Sequence, residues 1–317
     1  MKSSRGDILG TKVRKKKLSD SRLFYIYISP WLIGLTCFTL FPMVLSLIFS
    51  FTNVKMSSAT TAPLEFVGLK NYIDIFKNDQ DFLRSIFNTF IYAFAKVFLT
   101  VVIGLLIALL LNASIPGRKF FRTMIYMPAV IPVVSVALLW KLIFTGNELN
   151  IANYVLSLFG LGPYHFFGNE IIAMLTVIFV GVWSGLGPVM LILLAALQGI
   201  SQDLLEAAEL DGANSFKKFI HIILPSISPS ILFVTITGLI GSLQAYAEIK
   251  LLTGGGPGNA TTTMNLVIVN NAFNNLGRKT LGYASAQGWI VFTIILIFTI
   301  VFLRLANKRV YYESGGA

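Results

Sequence analysis

The chain has 317 residues, 55% of them hydrophobic and only 12% charged, with a mean hydropathy of +0.76. Soluble domains carry about twice that charged fraction, so a water-soluble globular protein is excluded. A single cysteine, Cys37, excludes an internal disulfide, and two histidines without spaced partners, His165 and His221, leave no metal site and imply no cofactor.

Residues 1–22 form a basic arm with eight Lys or Arg, among them Lys12, Arg14, Lys15, Lys16 and Lys17. We read it as a topology determinant beside anionic lipid rather than a nucleic-acid contact. The charge-free run Leu23–Phe51 is too long for the apolar core of a cleaved signal and lacks a small-residue cleavage site, so it is a retained span. Pro30 and Pro42 predict a kink within it. Residues 52–83 read as an outer loop with a helical piece at Leu69–Phe82. The second run, Ser85–Gly117, is interrupted only by Lys96; its helix ends near Asn112 and the chain turns at Pro116-Gly117.

The third run is Thr123–Trp140, where Pro128 and Pro132 remove backbone donors that neighbours or water must replace. After an outer loop at 145–169 the fourth run, Ile171–Gln202, carries Trp183-Ser184-Gly185-Leu186-Gly187-Pro188, a pattern for either close helix contact or a local break. The fifth run, Ile222–Ala247, predicts a helix that starts after Pro225 and ends near Tyr246. The glycine-rich stretch Leu252–Asn259 fits neither helix nor strand. Met264–Phe273 is too short to span and predicts an outer interfacial or buried helix. Thr280–Leu303 is the sixth run. Each run can cross about 30 Å of hydrocarbon, which takes roughly 20 residues, and none alternates as barrel strands do. The fold class is therefore an all-α integral membrane protein with six transmembrane helices.

One side of this arrangement collects 16 of the 25 basic residues, counting the arm, Arg118, Lys119, Arg122, Lys217, Lys218 and, after the last span, Arg304, Lys308 and Arg309. The positive-inside rule places that side, both termini and the loop 201–225 in the cytoplasm. Lys96 within a span reads either as a snorkelling or paired side chain or as a functional charge. Glu248 and Lys250 at the end of the fifth helix read either as outer docking contacts or as solvated ends.

The inner loop is the most informative segment. Ser201 or Asp203 can cap a first helix, whose apolar face is Leu204, Leu205, Ala208 and Leu210. Ala207 and Ala208 leave little bulk, and Asp211-Gly212 signals a turn after the helix end. Asn214 or Ser215 caps a second helix, on which Phe216, Phe219, Ile220 and Ile223 form one apolar stripe. Leu224-Pro225 is expected to stop it at the membrane. A mere connection needs about 2–8 residues, and this loop spends more than 20 on a defined shape, which argues for a docking part.

Glu206-Ala207-Ala208, Gly212 and Ile222-Ile223-Leu224-Pro225 resemble the inner-loop signature of binding-protein-dependent ABC importer permeases. Thr253-Gly254-Gly255-Gly256-Pro257, followed by Gly282-Tyr283-Ala284-Ser285-Ala286, resembles the carbohydrate branch, of maltose and glycerol-phosphate type. The likeness covers 84–305, the permease core; 23–83 holds the first span and outer loop. The resemblance implies the type I importer fold in a bacterial cytoplasmic membrane, a second and different permease, two ABC ATPase subunits, an outer sugar-binding protein and a sugar substrate. It implies ATPase coupling through Glu206, Ala207, Ala208, Asp211, Gly212, Ala213, Phe216, Leu224 and Pro225. It implies a substrate pathway at Trp183, Ser184, Gly185, Ser242, Gln244, Ala245 and Tyr246. The loop Gly254, Gly255, Gly256 and Pro257 would meet the binding protein.

The chain has no Gly-x-x-x-x-Gly-Lys-[Ser/Thr] phosphate loop, so ATP hydrolysis belongs to a partner and the chain is not an enzyme. A secondary transporter would carry carboxylates within its spans, and the six runs hold none. A membrane enzyme would cluster His, Asp or Glu at the membrane face. The nearest rival is a permease for amino acids or peptides.

Overall fold

The computed structural model describes residues 16–54, 65–144, 150–274 and 280–306; residues 1–15 of the arm and the tail from 307 lie outside the described residues, and the rest of the arm opens a helix at Lys16. In hydrocarbon a helix satisfies its own backbone, and the described elements are accordingly helical. The exception is one isolated antiparallel bridge between Thr52 and Phe66.

Helix α1 (Phe24–Ser50) crosses as one span. The kink expected from its prolines is instead a π-helical turn at Thr36–Leu40, just before Pro42. The wider turn accommodates a residue with no N–H to give. Helix α2 (Lys70–Asn78) lies outside the spans and leads into α3 (Gln80–Asn112), which Asp79 caps by accepting from the Phe82 N–H at 3.2 Å.

The third span is not one rod. Helix α4 (Arg118–Val130) and α5 (Val133–Phe144) meet at 99°. Pro132 lacks an N–H and pushes Ile131 into an extended conformation, with φ −75° and ψ 133°, which ends α4. Helix α6 (Ile151–Ser157) follows. Helix α7 (Glu170–Gln198) runs unbroken through Pro188, so its small residues serve close contact rather than a break.

The inner loop folds as α8 (Gln202–Leu210) and α9 (Ser215–Ser226). Pro225 does not stop α9, as the sequence suggested. A π-helical turn at Phe219–Ile223 precedes it, and the helix continues to Ser226. The change of direction comes at Ile227, where α10 (Ser228–Leu243) departs at 61°. Helix α10 also ends earlier than expected, at Leu243. Gln244–Tyr246 are non-helical before α11 (Ala247–Leu252), and the carbonyls freed by this break are satisfied from elsewhere. Thr263 Oγ1 donates to Ala245 O at 2.8 Å, and Asn265 Nδ2 to Gln244 O at 2.8 Å. Helix α12 (Met264–Phe273) is buried rather than interfacial, with Met264 and Leu266 fully enclosed. Helix α13 (Leu281–Ala306) closes the bundle. By length and composition α1, α3, α7 and α13 cross unbroken, and the bent pairs α4–α5 and α9–α10 complete six.

Helix α3 lies along α7 as the spine of the bundle, with α4 and α10 against its flanks and α13 against α1. At the outer end a buried carboxylate ties three elements together. Asp79 accepts from Tyr283 Oη at 2.9 Å and from Gln287 Nε2 at 3.0 Å, and Gln287 Oε1 accepts from Asn271 Nδ2 at 2.9 Å. Beside it Gly282 lies against the carbonyls of Phe49 and Thr52, with no room for a Cβ. These contacts explain the Gly282–Ala286 motif as the joint between α13, α1 and α3.

Gly282→Ala should therefore lower stability by about 1–3 kcal/mol, the usual cost of overpacking. Gly288→Ala, on the same helix with open space around it, should not. Thermal unfolding of the two purified variants in detergent checks this.

Candidate functional site

Small residues on α7 let α3 approach closely. Gly181 faces the Tyr92 hydroxyl and the Lys96 stem, and Gly185 faces Thr100. In the space so made, Lys96 Nζ lies 3.6 Å from Glu248 Oε1, and Tyr92 Oη donates to the same oxygen. The Tyr92 ring lies under the ammonium, 5.3 Å from its centroid. Glu248 gets there because the chain unwinds at Gln244–Tyr246 and restarts as α11. It is thus neither a solvated end nor an outer contact. Lys250, in the same short helix, donates to Asn270 Oδ1 at 3.3 Å.

Two adjoining cavities flank this pair. One, of about 400 Å³, opens where α4 breaks into α5 and reaches Ser184, Gly185, Lys96 and Glu248. The other, of about 310 Å³, lies between α3, α7 and α10 and includes Thr100, Thr237 and Ser242. Lys96, Gly185 and Pro188 line both.

Of the residues expected on a substrate path, Ser184, Gly185 and Ser242 line these cavities, and the other four do not. Trp183 sits in an aromatic cluster, edge-on to Trp140 at 5.3 Å. Ala245 and Tyr246 join the same apolar cluster, and Gln244 is exposed. Sequence reasoning missed the Lys96–Glu248 pair. The available signal was that a lone cation in an apolar run needs a counter-charge, but nothing in the periodicity placed the break that delivers one.

The inner loop has the bent shape its residues predict. Gly212 adopts φ +74°, the left-handed conformation that ends α8. Its N–H donates to Glu209 O at 3.0 Å, and the Ala213 N–H donates to Ala208 O at 2.9 Å. Asn214, not Ser215, caps α9, accepting from the Lys217 N–H at 2.8 Å. Ser201 occupies the cap position of α8 without a side-chain bond. Lys218 Nζ reaches across the turn to Glu209 and ties the two helices. Glu206, Ala207 and Asp211 are exposed, Ala208 is buried, and Ala213, Leu224 and Pro225 are half-buried. Two large apolar side chains project at the bend, Leu210 at 89% exposure and Phe216 at 70%.

The glycine-rich loop is fixed in place. Gly254 and Gly255 have positive φ, and Thr262 Oγ1 donates to Gly255 O at 3.0 Å. Asn88 Nδ2 of α3 donates to the carbonyls of Asn259 at 2.8 Å and Thr262 at 3.2 Å. Gly254 is exposed, Gly255 is buried, and Gly256 and Pro257 are half-buried.

Residues 100–311 match the family described as binding-protein-dependent transport system inner membrane component. The chain belongs to that family. It is similar to the trehalose/maltose transport system permease protein MalF of Thermococcus litoralis, at 34% identity over 93% of this chain and 97% of that one. It is similar to the multiple sugar-binding transport system permease protein MsmF of Streptococcus mutans, at 35% over 86% and 90%. In fold it resembles a chain of a bacterial ABC transporter involved in the import of the acidic polysaccharide alginate, with TM-score 0.79, 23% identity and coverage of 92% and 98%. A chain of that type of transporter in complex with an alginate pentasaccharide-bound periplasmic protein gives TM-score 0.80 at 22% identity, covering 92% and 96%. The chain is thus an inner-membrane permease with the importer fold, and ATP hydrolysis lies in a separate subunit.

With Trp183 in the aromatic cluster, Trp183→Ala should cost about 3–5 kcal/mol, the range for emptying a large aromatic site. Gln244→Ala should be close to neutral for stability, because its side chain is exposed. Thermal midpoints of both variants give the comparison.

Proposed function

We propose that the chain is one of two permeases in an ATP-driven carbohydrate importer, forming half of the translocation path. The observation that carries this reading is mechanical. Helix α7 lines both cavities and α10 the second, and the bent loop α8–α9 joins their inner ends. A force on the loop therefore acts on the cavity walls without passing through a flexible linker.

An ABC ATPase subunit receives the loop, with Leu210 and Phe216 as the apolar contacts and Glu206, Ala207, Ala208, Asp211, Gly212 and Ala213 shaping the surface around them. Leu224 and Pro225 connect that surface to the Ile227 bend. Closure of two such ATPases on nucleotide draws the loops together and turns α7 and α10 as packed bodies, which switches the side from which the cavity is open. A second, different permease supplies the other wall. An outer binding protein delivers the sugar at Gly254–Pro257, which the network around Thr262 and Asn88 holds as a rigid platform.

The Ser242 hydroxyl is the pathway donor and Ser184 Oγ, whose own proton goes to Val180 O at 2.9 Å, is a pathway acceptor, with Gly185 leaving them room, while Trp183, Gln244, Ala245 and Tyr246 form the wall behind. Sugar as substrate is supported by the transport systems named for the relatives and by the mixture of hydroxyls and apolar surface in the cavities.

Gly212→Pro cannot adopt φ +74° and should leave the chain in the membrane while reducing ATP-driven uptake at least about tenfold. Leu210→Asp with Phe216→Asp should abolish co-purification of the ATPase. Normal uptake in the first variant together with a retained ATPase in the second would refute the coupling assignment.

A further inference from the structure

Lys96 and Glu248 are the only charged side chains lining either cavity among the described residues. Their side chains are 21% and 25% exposed, so both are withdrawn from solvent yet reach the cavity. A charge within a span is costly and persists where it is paired or used. Here the pairing is built in. Tyr92 fixes the carboxylate, its ring lies under the ammonium, and Gly181 leaves space for both. This geometry is not that of a lysine extended toward the membrane surface.

We infer that Lys96 and Glu248 jointly determine the charge selectivity of the path, presenting a net-neutral polar wall suited to an uncharged, hydroxyl-rich ligand. The inference rests on the cavities being the substrate path. An ammonium carries three donors and a carboxylate about four acceptor sites, more than the pair and Tyr92 consume, so capacity remains for sugar hydroxyls. Lysine alone would concentrate anions such as uronates, and glutamate alone would concentrate cations. Together they favour neither. The neighbouring hydroxyls of Ser184, Thr100, Thr237 and Ser242 add hydrogen-bonding groups without adding charge.

The test reads cavity charge directly and needs no knowledge of the sugar. In the assembled complex in native membranes, Ser184→Cys in a Cys37→Ser background places one thiol in the cavity wall of this chain. Two methanethiosulfonate probes, one bearing trimethylammonium and one sulfonate, are reacted with it. Each rate, read by mass on this chain, is normalised to that of a free small thiol. The sulfonate-to-ammonium ratio should be near one in this parent. Glu248→Gln should raise it about tenfold, the order expected for one unscreened unit charge near the thiol. Lys96→Met should lower it by a similar factor. The double variant and the charge-keeping Glu248→Asp should both return it to the parent value.

An unchanged ratio in both single variants, or a double variant that does not return to the parent, overturns the inference while leaving the path reading intact. No reaction with either probe in the parent overturns the path reading, and the inference with it.

Discussion

The dominant constraint on this molecule is that polar groups within hydrocarbon must find partners inside the protein. Most of the chain meets it with uninterrupted helix. Where helix fails, a distant segment supplies the missing bond. The Gln244 and Ala245 carbonyls are satisfied from Asn265 and Thr263, and the outer ends of α3 and α13 converge on the buried Asp79. The irregular positions are therefore the places where α12 and the glycine-rich loop are anchored to the spans.

The same constraint makes the cavities. A broken span leaves room that two straight helices would fill, and the first cavity opens at the Ile131–Pro132 break. The break at Gln244 turns Glu248 inward to meet Lys96. Glycines on α7 bring α3 close enough for that meeting, so backbone irregularity and small side chains act together. The first cavity and the Lys96–Glu248 pair thus lie at the departures from regular helix.

Much of this was legible in the sequence. Charge-free runs gave the spans, because hydropathy over about 20 residues reports the one property that lipid demands. The bent inner loop was legible because Gly212 and Asn214 carry local conformational preferences that distant contacts do not override. What escaped was non-local. Pro225 looked like a stop, yet a π-helical turn upstream absorbs its missing donor. The early end of α10 depends on Thr263 and Asn265, which lie about 20 residues further along the chain. The packing of Trp183 edge-on against Trp140, which puts it in the aromatic cluster, is likewise a contact that its local sequence does not encode. Glu248 lay beyond the last charge-free residue of its run, so a reading by runs placed it outside the membrane.

Asn88, Tyr92, Lys96 and Thr100 recur every four residues and so occupy one stripe of α3. Asn88 grips the outer loop, Tyr92 and Lys96 hold Glu248, and Thr100 borders the second cavity. A single rigid rod thus carries the anchor of the glycine-rich loop and the charged part of the cavity wall in fixed phase. Any torque that turns α3 therefore moves the loop anchor and the cavity charges together, so neither can be repositioned without the other.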